Sequence, residues 1–332
     1  MKNIAVLAVL VIIIGASTVK ISAYCQNIKQ ETEDNNREIN GKSQNSMKYS
    51  FSIAYQYGLV YGQAFELVYP TAKDGKLLSE LIWDMKPVHY MGAQLDFNLR
   101  DLMSGPGFFA SASFKAGFSG DSGAMEDRDW ISQNNAELTH FSSHTNKTND
   151  FYWLDIILGA SLPVKQYFYI KPFFSGSWMH FSFTGRDGYG NYPSGNESFE
   201  GFEVIRYKQD WVLIATGFYI GTNILSPFSF DLSFQISPFA YCNAYDNHLM
   251  RSPPDPDTFW DITFNGFYIE PRANISFKYK NIGLSLEAAY CYIGKTRGLS
   301  YYKIGNGNFI QSGNAGASLA LFDTRFLFKL HI

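Results

Sequence analysis

The chain has 332 residues, of which 17% are aromatic and only 17% are charged, whereas soluble proteins are about 25% charged. Its formal net charge of −3 argues against nucleic-acid binding, and its aromatic content excludes a disordered chain. The apolar run Ile4–Ala16 is 13 residues long, which is shorter than the about 20 residues that a membrane-spanning helix needs. The composition therefore favours a β-rich protein whose apolar residues alternate with polar ones.

The N-terminal segment is predicted to be a secretory signal peptide, residues 1–23. Lys2 precedes the apolar run Ile4–Ala16, and small residues follow it. A short membrane anchor is the alternative interpretation. Residues 24–47 are polar and charge-rich, so they are expected to form a flexible leader. The chain has three cysteines, an odd number that rules out a complete disulfide framework.

From residue 49 onward the dominant hydrophobic period is two. Residues 229–237 alternate strictly between polar and apolar side chains, and residues 325–332 alternate apolar with mostly basic ones. Such strands suit either a soluble sandwich or a membrane barrel, whose apolar face meets lipid. The length of the alternating segments, the many Tyr and Phe residues and the alternation up to the last residue favour the barrel.

Four short turns and five long polar loops divide residues 48–332 into ten segments. The sequence therefore predicts one all-β domain, a ten-stranded antiparallel transmembrane β-barrel in a bacterial outer membrane. Short turns belong on the periplasmic side and long loops outside, so both termini are expected in the periplasm. The expected long loops are 64–75, 121–148, 186–203, 246–261 and 295–314.

The second long loop contains two closely spaced acids, Asp127 and Asp129. At i and i+2 of an extended segment, their side chains point to one side. Carboxylates held this close share protons and can bind a water between them. The alternative interpretation is a pair of solvated loop acids.

Asp246 and His248 form an Asp-x-His pattern at the top of the seventh expected strand. On a strand both side chains share one face, so Asp246 would orient and polarise His248. Taken alone, a solvated Asp/His contact is the commoner explanation. Strands three and seven both run outward, however, so the two pairs are expected to face each other at the extracellular rim.

Several segments together resemble the omptin family of outer-membrane endopeptidases. The matching segments, in chain order, are Ser79–Trp83, Gly123–Trp130, Ser142–His144, Tyr207–Gln209 and Asp246–His248. Their combined order and spacing are specific, although each segment alone is not. The resemblance covers most of residues 48–332 and implies a ten-stranded barrel, which agrees with the count from the loops.

The resemblance also implies a mechanism, in which a water between an Asp/His and an Asp/Asp pair attacks a peptide bond. His248, oriented by Asp246, would be the general base, while Asp127 and Asp129 would hold the water and steady the tetrahedral intermediate. No metal or cofactor is implied. The expected partners are peptide or protein substrates and outer-membrane lipid, and the barrel is expected to be a monomer. His144, near the rim, is interpreted as a solvated loop histidine.

The sequence departs from the family pattern at two places. Glu66 matches the family's substrate-pocket Glu and implies cleavage near basic residues, but the partnering Asp is replaced by Ala244. One carboxylate should select Lys or Arg less strongly than two, unless the nearby Asp255 or Asp257 compensates. Asp210 stands where the resemblance implies a basic residue that contacts lipid A phosphate, so dependence on lipopolysaccharide is left open.

These departures motivate a second hypothesis, a catalytically weak or inactive omptin-like barrel that acts as an adhesin or receptor. A small porin is the third hypothesis. It ranks last, because the narrow interior of a ten-stranded barrel is expected to be filled by side chains.

Overall fold

The structure is a computed structural model that describes residues 47–69, 76–101, 106–131, 137–165, 168–223, 225–251 and 254–332. The expected signal peptide, 1–23, and the expected leader, 24–47, lie outside the described residues except for Met47, which begins the first strand. Among the described residues, no helix is long and apolar enough to cross a membrane.

The described residues form fifteen strands that belong to one antiparallel sheet. In chain order the strands are β1 (Met47–Tyr69), β2 (Ser79–Asp101), β3 (Gly107–Gly117), β4 (Gly120–Asp129), β5 (His140–Lys165), β6 (Phe168–Tyr192), β7 (Gly195–Ser198), β8 (Glu203–Thr222), β9 (Phe228–Ser237), β10 (Ala240–His248), β11 (Asp257–Phe264), β12 (Tyr268–Tyr279), β13 (Ile282–Ile293), β14 (Arg297–Ile304) and β15 (Ile310–His331). The first strand pairs with the last, which closes the sheet into a barrel.

The barrel wall has ten positions although the sheet has fifteen strands. At four positions, two strands that are consecutive in the chain lie end to end and pair with the same two neighbouring positions of the wall. These pairs are β3 with β4, β9 with β10, β11 with β12 and β13 with β14. The remaining strand, β7, extends β6 as a hairpin beyond the ring. The ten-stranded barrel is thus confirmed as an architecture, while ten is too low a number of separate strands.

Several segments that the sequence predicted as long loops are strands. β1 continues to Tyr69, β4 and β5 occupy much of 121–148, and β14 lies within 295–314. Beyond the membrane the outward face of a strand meets water instead of lipid, and the inward face carries both apolar and polar side chains. The hydrophobic alternation therefore fades while the backbone ladder continues. Asp127 and Asp129, expected in a loop, therefore lie on a strand.

The outward side chains form an apolar band around the barrel. On β8 the band includes Val212, which is 45% exposed, and Ile214, which is 76% exposed. The next outward residue is Asp210, whose carboxylate lies 2.8 Å from the ring nitrogen Nδ1 of His180. A charge is costly in hydrocarbon, so the lipid-facing band ends between Val212 and Asp210. Gln209, and the residues in register with it, lie beyond the band.

The interior at the level of the band is filled by paired charges. Lys115 lies 2.6 Å from Asp323, and both side chains are almost completely buried. The Tyr90 hydroxyl donates to Asp323 at 2.6 Å, while Arg325 Nη1 donates to Gln56 Oε1 at 3.0 Å. These buried contacts occupy the bore at this level, as expected for a narrow barrel rather than a porin.

Candidate active site

The strand register brings the candidate residues to one level of the barrel, beyond the lipid-facing band. Glu66 on β1 lies opposite Leu81 on β2, and Leu81 lies opposite Asp127 on β4. Asp127 in turn lies opposite Ser142 on β5. Inward side chains at these positions therefore meet inside the same end of the barrel, the end away from both termini of the wall.

A local irregularity fixes the register of β4. Gly123 sits at a β-bulge with a φ of 112°, a backbone conformation that side chains other than glycine rarely adopt. A Cβ there would lie 2.8 Å from the Asp84 carboxylate, which accepts a hydrogen bond from the Ala124 N–H at 3.0 Å. The bulge at Gly123 and the hydrogen bond between Ala124 and Asp84 thus hold β4 against β2 and fix the register of Asp127.

Asp127 and Asp129 occupy alternate positions of β4, as the sequence predicted for an extended segment. The Ser79 hydroxyl donates to Asp127 Oδ1 at 3.2 Å. Removal from bulk water, together with the neighbouring Asp129 carboxylate, raises the pKa of Asp127 to about 7, although His248 and Arg251 oppose the shift. A carboxyl group that titrates near neutrality can exchange a proton with a bound water.

Asp246 and His248 share one face of β10, and Asp246 Oδ2 lies 2.6 Å from His248 Nε2. Both side chains are largely buried, and the ring of Phe259 packs edge-on against His248 at 5.6 Å. The carboxylate therefore fixes the orientation of the ring, which leaves Nδ1 as the nitrogen that is not engaged by Asp246.

Asp127 and His248 line the same cavity, whose volume is about 160 Å³. Ser142, His144 and Arg251 also line it. A water takes roughly 30 Å³ of liquid volume, so the cavity has room for several waters beside Asp127 and His248. Within the described part of the chain, no group of three or more His, Cys, Asp or Glu side chains is arranged to hold a metal ion.

Glu66 points into the barrel and is 2% exposed. Its Oε2 atom has no hydrogen-bond partner among the described residues. Burial, followed by the carboxylates of Asp246, Asp261 and Asp127, raises the pKa of Glu66 well above its ordinary value. The predicted pocket residue therefore lies within a cluster of acids rather than alone.

The structure corrects the interpretation of His144 as a solvated loop residue, since the side chain is 3% exposed. Its Nδ1 lies 2.6 Å from the backbone carbonyl oxygen of Asp187, which can only accept, so Nδ1 donates. Nε2 lies 2.9 Å from the Ser142 hydroxyl. The ring of Phe199 covers it at 5.2 Å, and burial lowers the pKa of His144, which favours the neutral form.

The sequence analysis did not identify two charged residues at this end of the barrel. Arg251 lies just beyond β10 and supplies a positive charge to the cavity wall. Asp261 on β11 lies directly opposite Ala244 on β10. Asp257, one of the two acids left open as a replacement for the acid absent at Ala244, accepts a hydrogen bond from Tyr302 at 3.1 Å. Neither missed residue belongs to a local motif, so only the strand register reveals its position.

The closed antiparallel ring, the outward apolar band and the charged interior define a transmembrane β-barrel. The plasminogen activator of Yersinia pestis is 24% identical to the chain over 242 residues, which cover 68% of the chain and 73% of that protein. The family model of the omptin family matches residues 47–323, and the chain belongs to this family.

The crystal structure of the outer membrane protease OmpT from Escherichia coli has the same fold, with a TM-score of 0.76 at 19% identity. The match covers 85% of this chain and 97% of that chain. Family membership and fold indicate a bacterial outer-membrane location, and they support an outer-membrane protease function.

Proposed function

We propose that the protein is an outer-membrane endopeptidase that hydrolyses peptide bonds with a water activated between Asp127–Asp129 and Asp246–His248. The observation that carries this proposal is the cavity that both Asp127 and His248 line. The similar proteins are a plasminogen activator from Yersinia pestis and an outer membrane protease from Escherichia coli, and these names support the proposed activity.

In this mechanism His248 takes a proton from the water as the water attacks the scissile carbonyl. Asp246, 2.6 Å from Nε2, orients the ring and stabilises the imidazolium that forms. Asp127 and Asp129 hold the water from the opposite side. As the tetrahedral intermediate collapses, the proton passes from His248 to the leaving amine, so the enzyme returns to its starting state.

We further propose that the site faces the exterior of the cell. It lies at the end of the barrel opposite the termini of the wall, which share one side because the number of wall positions is even. Both termini are expected on the periplasmic side, because outer-membrane barrels have short periplasmic turns and longer extracellular loops. Substrates would accordingly be peptides or proteins outside the cell, cleaved near basic residues that Glu66 attracts.

Lipopolysaccharide is not required in this proposal. Asp210 points outward at the edge of the lipid-facing band, where lipid phosphates lie, and its carboxylate repels them. His180 pairs with this carboxylate at 2.8 Å and offsets part of its charge. The activity of the purified barrel in detergent should therefore be the same with and without added lipopolysaccharide.

The catalytic assignment is tested with purified protein and a fluorogenic peptide that contains one basic residue. Asp127→Asn and His248→Ala should each lower kcat/KM by about 10²- to 10⁴-fold, the usual contribution of a positioned acid or base. Glu137→Gln, an exposed acid that does not line the cavity, is the control and should retain activity. If the parent protein cleaves no peptide but binds cells or matrix proteins, the adhesin or receptor hypothesis is favoured instead.

A further inference from the structure

The strand β7 forms a free edge of the sheet within the described part of the chain. Among the described residues it pairs only with β6, over the register from Tyr189 opposite Ser198 to Tyr192 opposite Gly195. All four residues of β7 are exposed. A free edge presents main-chain N–H and C=O groups that can pair with another extended chain. The edge of β7 is therefore a candidate binding surface for a peptide main chain.

The hydrogen-bond pattern of the hairpin identifies the main-chain groups that point to this edge. Phe199 N–H donates to the carbonyl oxygen of Gly188 on β6 at 3.0 Å. In an antiparallel pair, successive residues direct their N–H and C=O groups alternately towards the partner strand and away from it, so Glu197 faces β6 as Phe199 does. Asn196 and Ser198 therefore direct their main-chain groups to the free edge, and each offers one donor and one acceptor.

The free edge lies on the side of the wall that contains His248. β7 and β8 both pair with β6 on the side away from β5, so they occupy the same wall position. The other neighbour of β8 is β10, which ends at His248. This ladder closes with a hydrogen bond from Leu249 N–H to the carbonyl oxygen of Val204 at 2.9 Å. A strand added to β7 would therefore lie in the wall position of β10, beyond His248.

The cavity connects this edge to the proposed catalytic residues. Glu197 and Phe199 line the same cavity as Asp127 and His248. Neighbouring strands lie about 4.8 Å apart, so a chain paired with β7 would run one strand spacing from this wall of the cavity. Its main chain would thereby be presented at the cavity mouth. Hydrolysis needs this alignment, because the carbonyl carbon that the water attacks belongs to the main chain.

We propose that the free edge of β7, at Asn196 and Ser198, binds the main chain of an extended polypeptide substrate as an added strand. This inference rests on the proposed endopeptidase function and assigns the surface that aligns the scissile bond with His248. Main-chain pairing does not depend on the side chains of the substrate, so the edge accepts many sequences in the extended conformation. A helical segment pairs its own main-chain groups and binds only after it unfolds.

The test uses fluorescent peptides of one sequence with a single basic residue, each N-methylated at one main-chain amide outside the scissile bond. Binding to the Asp127→Asn barrel is measured by fluorescence anisotropy in detergent, and cleavage by the parent barrel is measured as kcat/KM. Only every second residue of an added strand bonds to the edge, so N-methylation should weaken binding by about 2- to 10-fold at alternate positions. The positions between them are the matched controls and should change binding by less than about twofold.

Ser198→Pro tests the protein side of the same contact. Proline is tolerated on an edge strand where the missing N–H faces solvent, and the hairpin bonds of Glu197 and Phe199 are kept. The variant should bind the unmodified peptide about 2- to 10-fold more weakly. Its effect and that of N-methylation at the paired position should combine to less than their sum, because both act on one contact. Full additivity would place the substrate main chain elsewhere and overturn the assignment.

Binding and cleavage report separately on this inference and on the proposed activity. If the parent barrel cleaves no peptide but N-methyl groups at alternate positions weaken binding, the endopeptidase proposal fails and the assignment of the β7 edge stands. If N-methylation weakens binding equally at consecutive positions, or if no peptide binds, the assignment of the β7 edge is wrong.

Discussion

Asp261→Asn should stabilise the barrel at neutral and alkaline pH. The ionised Asp261 carboxylate is buried on β11, where burial and Asp246 raise its pKa from 3.8 to about 7, while a hydrogen bond from Ser300 opposes the shift. Each pH unit between these two values is worth about 1.4 kcal/mol, so ionising the folded protein costs about 4 kcal/mol at pH 8. Losing the contact with Ser300 costs about 1 kcal/mol, which leaves a net gain of about 3 kcal/mol.

The change in unfolding free energy caused by Asp261→Asn depends on pH between about 4 and 7. Because the folded pKa is raised, Asp261 keeps its proton longer in the folded barrel than in the unfolded chain. The free-energy cost of burying the ionised Asp261 carboxylate is therefore complete above pH 7, shrinks as the pH falls from 7 to 4, and is absent below about 4. Asp246 from β10 and Glu66 from β1 share this environment, so their charges contribute to the window. Tyr207 from β8 also faces it but stays neutral, because its pKa is raised well above 10.

The measurement is equilibrium unfolding in guanidinium, followed by tryptophan fluorescence in detergent micelles at pH 8 and pH 4. Asp255→Asn, an exposed change of the same chemistry, is the control and should alter the unfolding free energy by less than about 0.5 kcal/mol. If Asp261→Asn gives the same change in unfolding free energy at both pH values, Asp261 does not bear the burial cost inferred here.

Three further outcomes are expected. Asp129→Asn removes a like charge beside Asp127, so the acidic limb of the pH profile of kcat/KM should move to lower pH; an unmoved limb would show that the two acids do not interact. Lys115→Met should destabilise the barrel by about 3–5 kcal/mol in a denaturant titration, because Asp323 stays buried without its cationic partner and keeps only the hydrogen bond from Tyr90. Adding Asp323→Leu should recover most of the loss, and a double variant no more stable than Lys115→Met would contradict this account. Asp210→Arg should make activity respond to added lipopolysaccharide, and an unresponsive variant would argue against a phosphate contact there.

The alternation of apolar residues predicted the barrel because the side-chain period of a strand is independent of its partners. The length of the strands was underestimated for a physical reason. Where β1 and β4 extend beyond the lipid-facing band, the outward face meets water and the inward face mixes apolar with acidic side chains, so hydropathy no longer distinguishes a strand from a loop. Asp127 and Asp129 were expected in such a loop, whereas they lie on β4.

The site was predictable where its residues are neighbours in sequence. Asp246 and His248 are two positions apart on one strand, and the structure places their side chains 2.6 Å apart. Asp261 was missed because its relation to Ala244 depends on cross-strand register, which no local motif encodes. His144 was misjudged for the same reason, since its cover, Phe199, belongs to a different hairpin.

The most direct measurement is the cleavage rate of a basic-site peptide by the purified full-length barrel, its Asp127→Asn variant and its His248→Ala variant, compared at pH 8. Retained barrel structure in all three proteins is checked by circular dichroism. If Asp127 and His248 activate one water, the parent cleaves the peptide and each variant loses at least about 100-fold in kcat/KM. Equal rates in the three proteins would contradict the proposed mechanism.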